Sequence, residues 1–135
     1  MTTNRIHRDQ AGLVGKIAVV WILFAVLLVV AGFDAISIAF TKYRVEDLAA
    51  SAASSAAIAY KSGGKIEQAC QTAVTYVVEH DEKAKIPAGG CAIDPKTGIA
   101  SITVRKVAST LVAERLSFTE EYTHLESTES VEPPL

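Results

Sequence analysis

The chain has 135 residues, half of them hydrophobic, and a net charge of −2 from 13 basic and 15 acidic side chains. That charge is split between a basic leader and an acidic C-terminal part with few scattered basic residues, a balance that offers no phosphate-tracking surface and argues against nucleic acid as a partner. Setting aside the first forty residues leaves about 95 for a single small domain, which buries too little surface to be very stable unaided.

Residues 1–10 form a polar leader, too short to fold, carrying Arg5 and Arg8 against Asp9. Gly12, Gly15 and Lys16 follow. Residues 17–33, IAVVWILFAVLLVVAGF, then run without a charge, and the apolar segment reaches Phe40 after a single interruption at Asp34. At 1.5 Å per residue, seventeen helical residues cover about 26 Å and the longer segment about 36 Å, against a hydrocarbon core of about 30 Å. A segment of this length predicts a membrane helix, since only a helix satisfies its own backbone in lipid. The basic flank lies on the N-terminal side, which places the leader in the cytoplasm and everything after about Phe40 outside. Trp21 is suited to an interface anchor. The competing reading is a signal peptide cleaved near Gly32, but the apolar run exceeds the usual length of about 7–15 residues and passes directly into further helix.

Asp34 lies eighteen residues beyond Lys16, about 27 Å along a helix, at the outer interface if Lys16 marks the inner one. Two readings follow for this pair of interface residues. Asp34 is hydrated at the interface, or it sits deeper and meets a cation on a neighbouring subunit, because an unpartnered intramembrane carboxylate is costly.

Residues 41–60 contain seven alanines and no Gly or Pro, and predict continued helix. Ile38, Val45, Leu48, Ala52 and Ala59 fall on one stripe with Thr41 and Ser55, suited to close packing against the chain's own domain or a neighbouring helix. Lys61-Ser62-Gly63-Gly64 ends it. Residues 65–80 predict a second helix with Ile66, Ala69, Cys70, Ala73, Val74 and Val77 inward. A loop with Pro87, Gly89 and Gly90 leads to a hairpin in which 91–93 and 99–107 flank the turn Asp94-Pro95-Lys96-Thr97-Gly98. Ala100, Ile102 and Val104 alternate with Ser101, Thr103 and Arg105, giving one core face and one solvated face. Residues 111–116 predict a helical turn or bend, 118–126 a further strand, and 128–135 a tail.

Cys70 and Cys91 allow one intramolecular pairing, and the outside location favours a disulfide worth on the order of 3 kcal/mol. His7, His80 and His124 are far apart, and no phosphate-binding, dinucleotide-binding, zinc-protease or nucleophile-elbow motif is present. The sequence predicts no enzyme, no cofactor, no metal and no small-molecule substrate.

The region 9–60 resembles the TadE/TadG-like family of tight-adherence (Flp) pilus assembly systems. The resemblance lies in an order of features. A basic leader ends in RDQAG, one apolar span follows, and Asp34 stands at its outer end. Tyr43-Arg44 comes next, then Val45 and an alanine-rich helix interrupted by polar residues. It implies a membrane-anchored, pilin-like accessory protein whose partners are the bilayer and other pilus or secretion subunits. Gly12 and Gly15 are the positions available for prepilin-type processing, although the fifth residues after them, Ile17 and Val20, replace the glutamate that such processing favours.

The expected fold is α+β: leader 1–16, transmembrane helix 17–40, extracytoplasmic domain 41–126 with a second helix and a short antiparallel sheet, and acidic, proline-containing tail 127–135. The alternatives are a secreted disulfide-linked binding domain and an accessory subunit of a membrane enzyme complex.

Overall fold

The computed structural model describes the backbone of residues 6–135, and the side chains of residues 12 and 14–135 except Glu114. The rest of the basic leader, residues 1–5, lies outside the described residues. The structure is α+β. One helix, α1 (Ile6–Gly63), is followed by α2 (Ile66–His80) and a three-stranded antiparallel sheet of β1 (Cys91–Ile93), β2 (Ala100–Val107) and β3 (His124–Val131), in the order β1-β2-β3.

At 58 residues, α1 is about 87 Å long. It begins at Ile6, so part of the leader is helical where the sequence predicts none. Without proline to stop it, a helix nucleated by the apolar run extends at little cost into its polar flank. The helix ends where the sequence places its stop. Gly64 adopts φ +65° and its N–H donates to the Tyr60 carbonyl at 2.7 Å, a left-handed cap that only glycine adopts without strain.

The two halves of α1 differ in their surroundings. From Val14 to Phe40 most of the large apolar side chains are exposed, Trp21, Leu23 and Val29 among them, with Val30 and Ile38 half-buried. Among the described residues α1 is the one helix long and apolar enough to cross a membrane, and its most apolar window has no buried residue. From Val45 onward the helix is the spine of the domain. Val45, Ala49, Ala52, Ala53, Ala56 and Ala57 are buried against α2 and the sheet. Of the stripe expected from the sequence, Val45 and Ala52 lie at its centre. Leu48 and Ala59 pack at its margin, half-buried. The true seam is wider and richer in alanine than a near-heptad reading gives, because α1 packs on two elements at once. All of this packing is within the chain's own domain.

Small residues let α2 approach closely. Its buried positions are Ala69, Ala73 and Val77, one per turn. Ile66 and Val74, expected on the inner face, are exposed, since a seam this narrow leaves its flanks outside. Cys70 is half-buried and bonded to Cys91, joining α2 to β1 across 21 positions with a Cα–Cα distance of 5.9 Å. The pairing matters here because alanine dominates the core; Ile102, Val45, Val77 and Val104 are its largest fully buried apolar side chains.

In the sheet, Ala100, Ile102 and Val104 face α1 as the alternation predicts. β2 pairs along its whole length with β3, from Ala100↔Val131 to Val107↔His124. The third strand is therefore His124–Val131 and not 118–126, and the tail is correspondingly shorter. A reading that follows Phe118 and Tyr122 misses it because β3 is mostly polar. Its outer face is held instead by cross-strand pairs: Ser101–Ser130 and Thr103–Thr128 hydroxyls at 2.7 Å, and Arg105 donating through Nε and Nη2 to Glu126 Oε2. The end of the chain is also placed. Lys61 donates to the Pro134 carbonyl, and Pro133 lies against Gly98 in the hairpin turn.

Candidate functional site around Asp34

Between β2 and β3 the chain leaves the sheet for residues 108–123. The neck of this excursion is closed by Ala108 N–H donating to the Thr123 carbonyl at 2.8 Å, with both residues buried. A loop of this size with joined ends is an Ω-loop. It holds two single-turn 3₁₀ segments, Ala113–Arg115 and Glu120–Thr123. Thr119 braces the loop from within, its hydroxyl donating to the Ala113 carbonyl at 2.6 Å and to the Leu116 carbonyl at 3.1 Å.

The loop folds back along α1 and is tied to it at Asp34. Leu111 N–H donates to Asp34 Oδ1 at 2.7 Å, while Val112 and Ala113 N–H groups donate to Oδ2 at 3.0 and 2.9 Å. These are the amides that open the first 3₁₀ turn and have no partner within it, so the carboxylate caps that turn from a distant helix. A second tether runs from the Ser37 hydroxyl to the Ser109 carbonyl at 2.5 Å. Asp34 is 6% exposed. Its partners in the structure are backbone amides of its own chain, an arrangement that neither sequence reading of this residue includes. Lys16 is exposed on α1, eighteen positions away, and plays no part in this arrangement.

Below the tether, loop and helix enclose an apolar groove of about 760 Å³. Its helix wall runs from Asp34 and Ile38 back to Leu23, and its loop wall includes Leu116, Phe118 and Tyr122. The loop's apolar side chains are conspicuously uncovered: Phe118 is 74% and Tyr122 68% exposed.

A second polar feature lies near the same end of β2, two positions before the loop's neck. Lys106 on β2 donates to Asp81 at the end of α2, both side chains mostly buried. Burial raises the Asp81 carboxyl, but the Lys106 hydrogen bond, the Lys83 amide and the positive charges of Lys106 and Arg44 outweigh it, leaving the group below its ordinary value. The open surface around this pair is shallow, and its members satisfy one another.

The remaining sequence-predicted positions are dispersed. Gly12 and Gly15 lie exposed on α1, with nothing near enough to contact an added Cβ. No group of three or more His, Cys, Asp or Glu side chains positioned to hold a metal occurs among the described residues. The role of Leu111, Val112, Ala113 and Phe118 is not apparent from sequence. The available signal is a run of apolar residues in a segment too broken by polar residues to be a regular strand. Comparison of the chain with protein-family models, curated proteins and solved structures returns no match.

Proposed function

We propose that this chain is a non-catalytic, membrane-anchored, pilin-like or pseudopilin-like component of a bacterial pilus or secretion assembly, of the TadE/TadG-like kind. In this reading the N-terminus is cytoplasmic and the disulfide-linked domain lies outside. The observation that carries the reading is the division of α1: an uncovered apolar half, then an alanine-rich half that forms the spine of a small antiparallel-sheet domain. A core helix of a soluble protein is covered on most faces, and residues 14–40 are not. Basic Arg5, Arg8 and Lys16 before the span support the orientation. The order of leader, span, Asp34, Tyr43-Arg44 and alanine-rich helix supports the pilus role. A disulfide between Cys70 and Cys91 fits an oxidising compartment.

The test is the intact mass of the native protein from membrane and culture-supernatant fractions, with and without reduction, followed by identification of the subunits that co-purify with it. A membrane species retaining the span, alkylated at two cysteines only after reduction and carrying pilus or secretion subunits, is the expected result. A mass beginning after Gly12 or Gly15 would add pilin-type processing. A supernatant species beginning near Phe33 would overturn the anchor and establish a secreted binding domain. Stoichiometric recovery with an enzyme complex alone would replace the pilus role by that of an accessory subunit.

A further inference from the structure

We infer that the Ω-loop of residues 108–123 is a second membrane contact, which inserts its apolar side chains into the outer leaflet beside α1. The inference rests on the reading of α1 as a membrane span, and three independent features of the loop point to lipid as its occupant.

The first is depth. The groove's helix wall extends from Asp34 back to Leu23, about 16 Å at 1.5 Å per residue, within the segment that the span reading assigns to the outer and middle hydrocarbon. The loop is fixed at that level by the three amide bonds to Asp34 and by the Ser37–Ser109 bond. The second is chemistry. Leu111, Leu116 and Phe118 stand uncovered, and the charged Arg115, Glu120 and Glu121 are exposed beside them in the same loop, as headgroup-facing residues would be. Tyr122 has the amphipathic ring favoured at that boundary. In water, so many exposed apolar side chains on one loop are unfavourable; in an interface they are stabilising, as for monotopic elements buried about 5–10 Å deep. The third is the polar accounting. A carboxylate and the leading amides of a 3₁₀ turn are both costly to bring toward lipid, and here each satisfies the other.

The experiment uses full-length protein in vesicles whose lipids carry bromine on their acyl chains, with tryptophan emission as the readout. Trp21, the chain's single tryptophan, reports the span in the natural protein. In a Trp21→Phe background, Phe118→Trp and Tyr122→Trp report the loop; all three side chains are exposed, so the exchanges leave the core intact. The expected result is emission from both loop variants about twofold lower in brominated than in plain vesicles, as for groups lying within the leaflet. If Trp21 is quenched but the Phe118→Trp variant is unquenched with red-shifted emission, the loop lies in water and the inference fails while the span stands. Blue-shifted but unquenched emission would assign the groove to a protein partner and equally overturn it. If Trp21 itself is unquenched, the span reading fails and this inference with it.

Discussion

The Leu111 amide donates to the Asp34 carboxylate at 2.7 Å across 77 positions of sequence, joining a loop of the folded domain to the apolar half of α1. Because the Val112 and Ala113 amides share the same carboxylate, Asp34→Ala strips three donors of their acceptor at once. Backbone amide exchange at 111–113 is expected to accelerate roughly tenfold or more, as the loop opens locally without the sheet unfolding. Trypsin cleavage at exposed Arg115 should rise in parallel. Unchanged exchange at all three amides would show that the carboxylate does not order the loop.

The disulfide is the second element to test. Closing 21 positions between α2 and β1, it should contribute about 3 kcal/mol by restricting the unfolded chain. A Cys70→Ser/Cys91→Ser double variant in detergent is expected to unfold at clearly lower denaturant concentration, with the slope raised by the less restricted unfolded state. Equal midpoints for the variant and the oxidised protein would remove this contribution.

Ala53 is fully buried between α1 and its neighbours, with no room for a longer side chain. Ala53→Leu should destabilise the domain by about 1–3 kcal/mol through overpacking, whereas Ile58→Leu on the exposed face of the same helix should lie within about 0.5 kcal/mol of the natural protein. Ala52→Glu is expected to unfold the domain itself, because Ala52 packs inside it. Circular dichroism melts of the three variants separate these effects.

Acid sensitivity follows from Asp81. Its carboxyl lies below its ordinary value of 3.8 in the folded protein, so the stability it contributes is present above that value and is lost as pH falls through the lower folded value. Lys106→Met removes the hydrogen bond and one charge while leaving the burial that raises the group. The variant should therefore be less stable near neutral pH and lose less of its stability from this group as pH falls than the natural protein does. Coincident acid-unfolding curves, measured against denaturant at each pH, would show that the pair does not govern acid stability.

At the hairpin turn, Gly98 adopts φ +75° and an added Cβ would lie 3.1 Å from Pro133. Gly98→Ala should cost about 1–2 kcal/mol for the left-handed backbone alone, and it should also loosen the chain end. A thermal melt with no fall in midpoint would contradict this.

What the sequence disclosed was whatever had a period or a stop signal. The apolar run, the glycine end of α1, the alternation of β2 and the Asp94–Gly98 turn each depend on local chemistry, and each is where the pattern puts it. β3 was illegible because its stabilisation is relational: a hydroxyl side chain has no strand signature by itself, and Thr128 gains its place from Thr103 opposite. Asp34 was conspicuous as a charge in an apolar run, but its partners are main-chain amides, and no side-chain pattern announces those. The breadth of the alanine seam escaped a heptad count because α2 and the sheet meet α1 at different angles around its axis.

Between Gly32 and Gly63, α1 contains neither glycine nor proline, so nothing in that stretch provides a joint. The apolar half and the domain therefore share one rotational phase as well as one axis. A single residue inserted after Phe40 would turn the domain by about 100° relative to the apolar half, swinging the loop away from Asp34 while leaving every contact beyond Val45 intact. The helix thereby sets which side of the domain lies in line with each face of its apolar half.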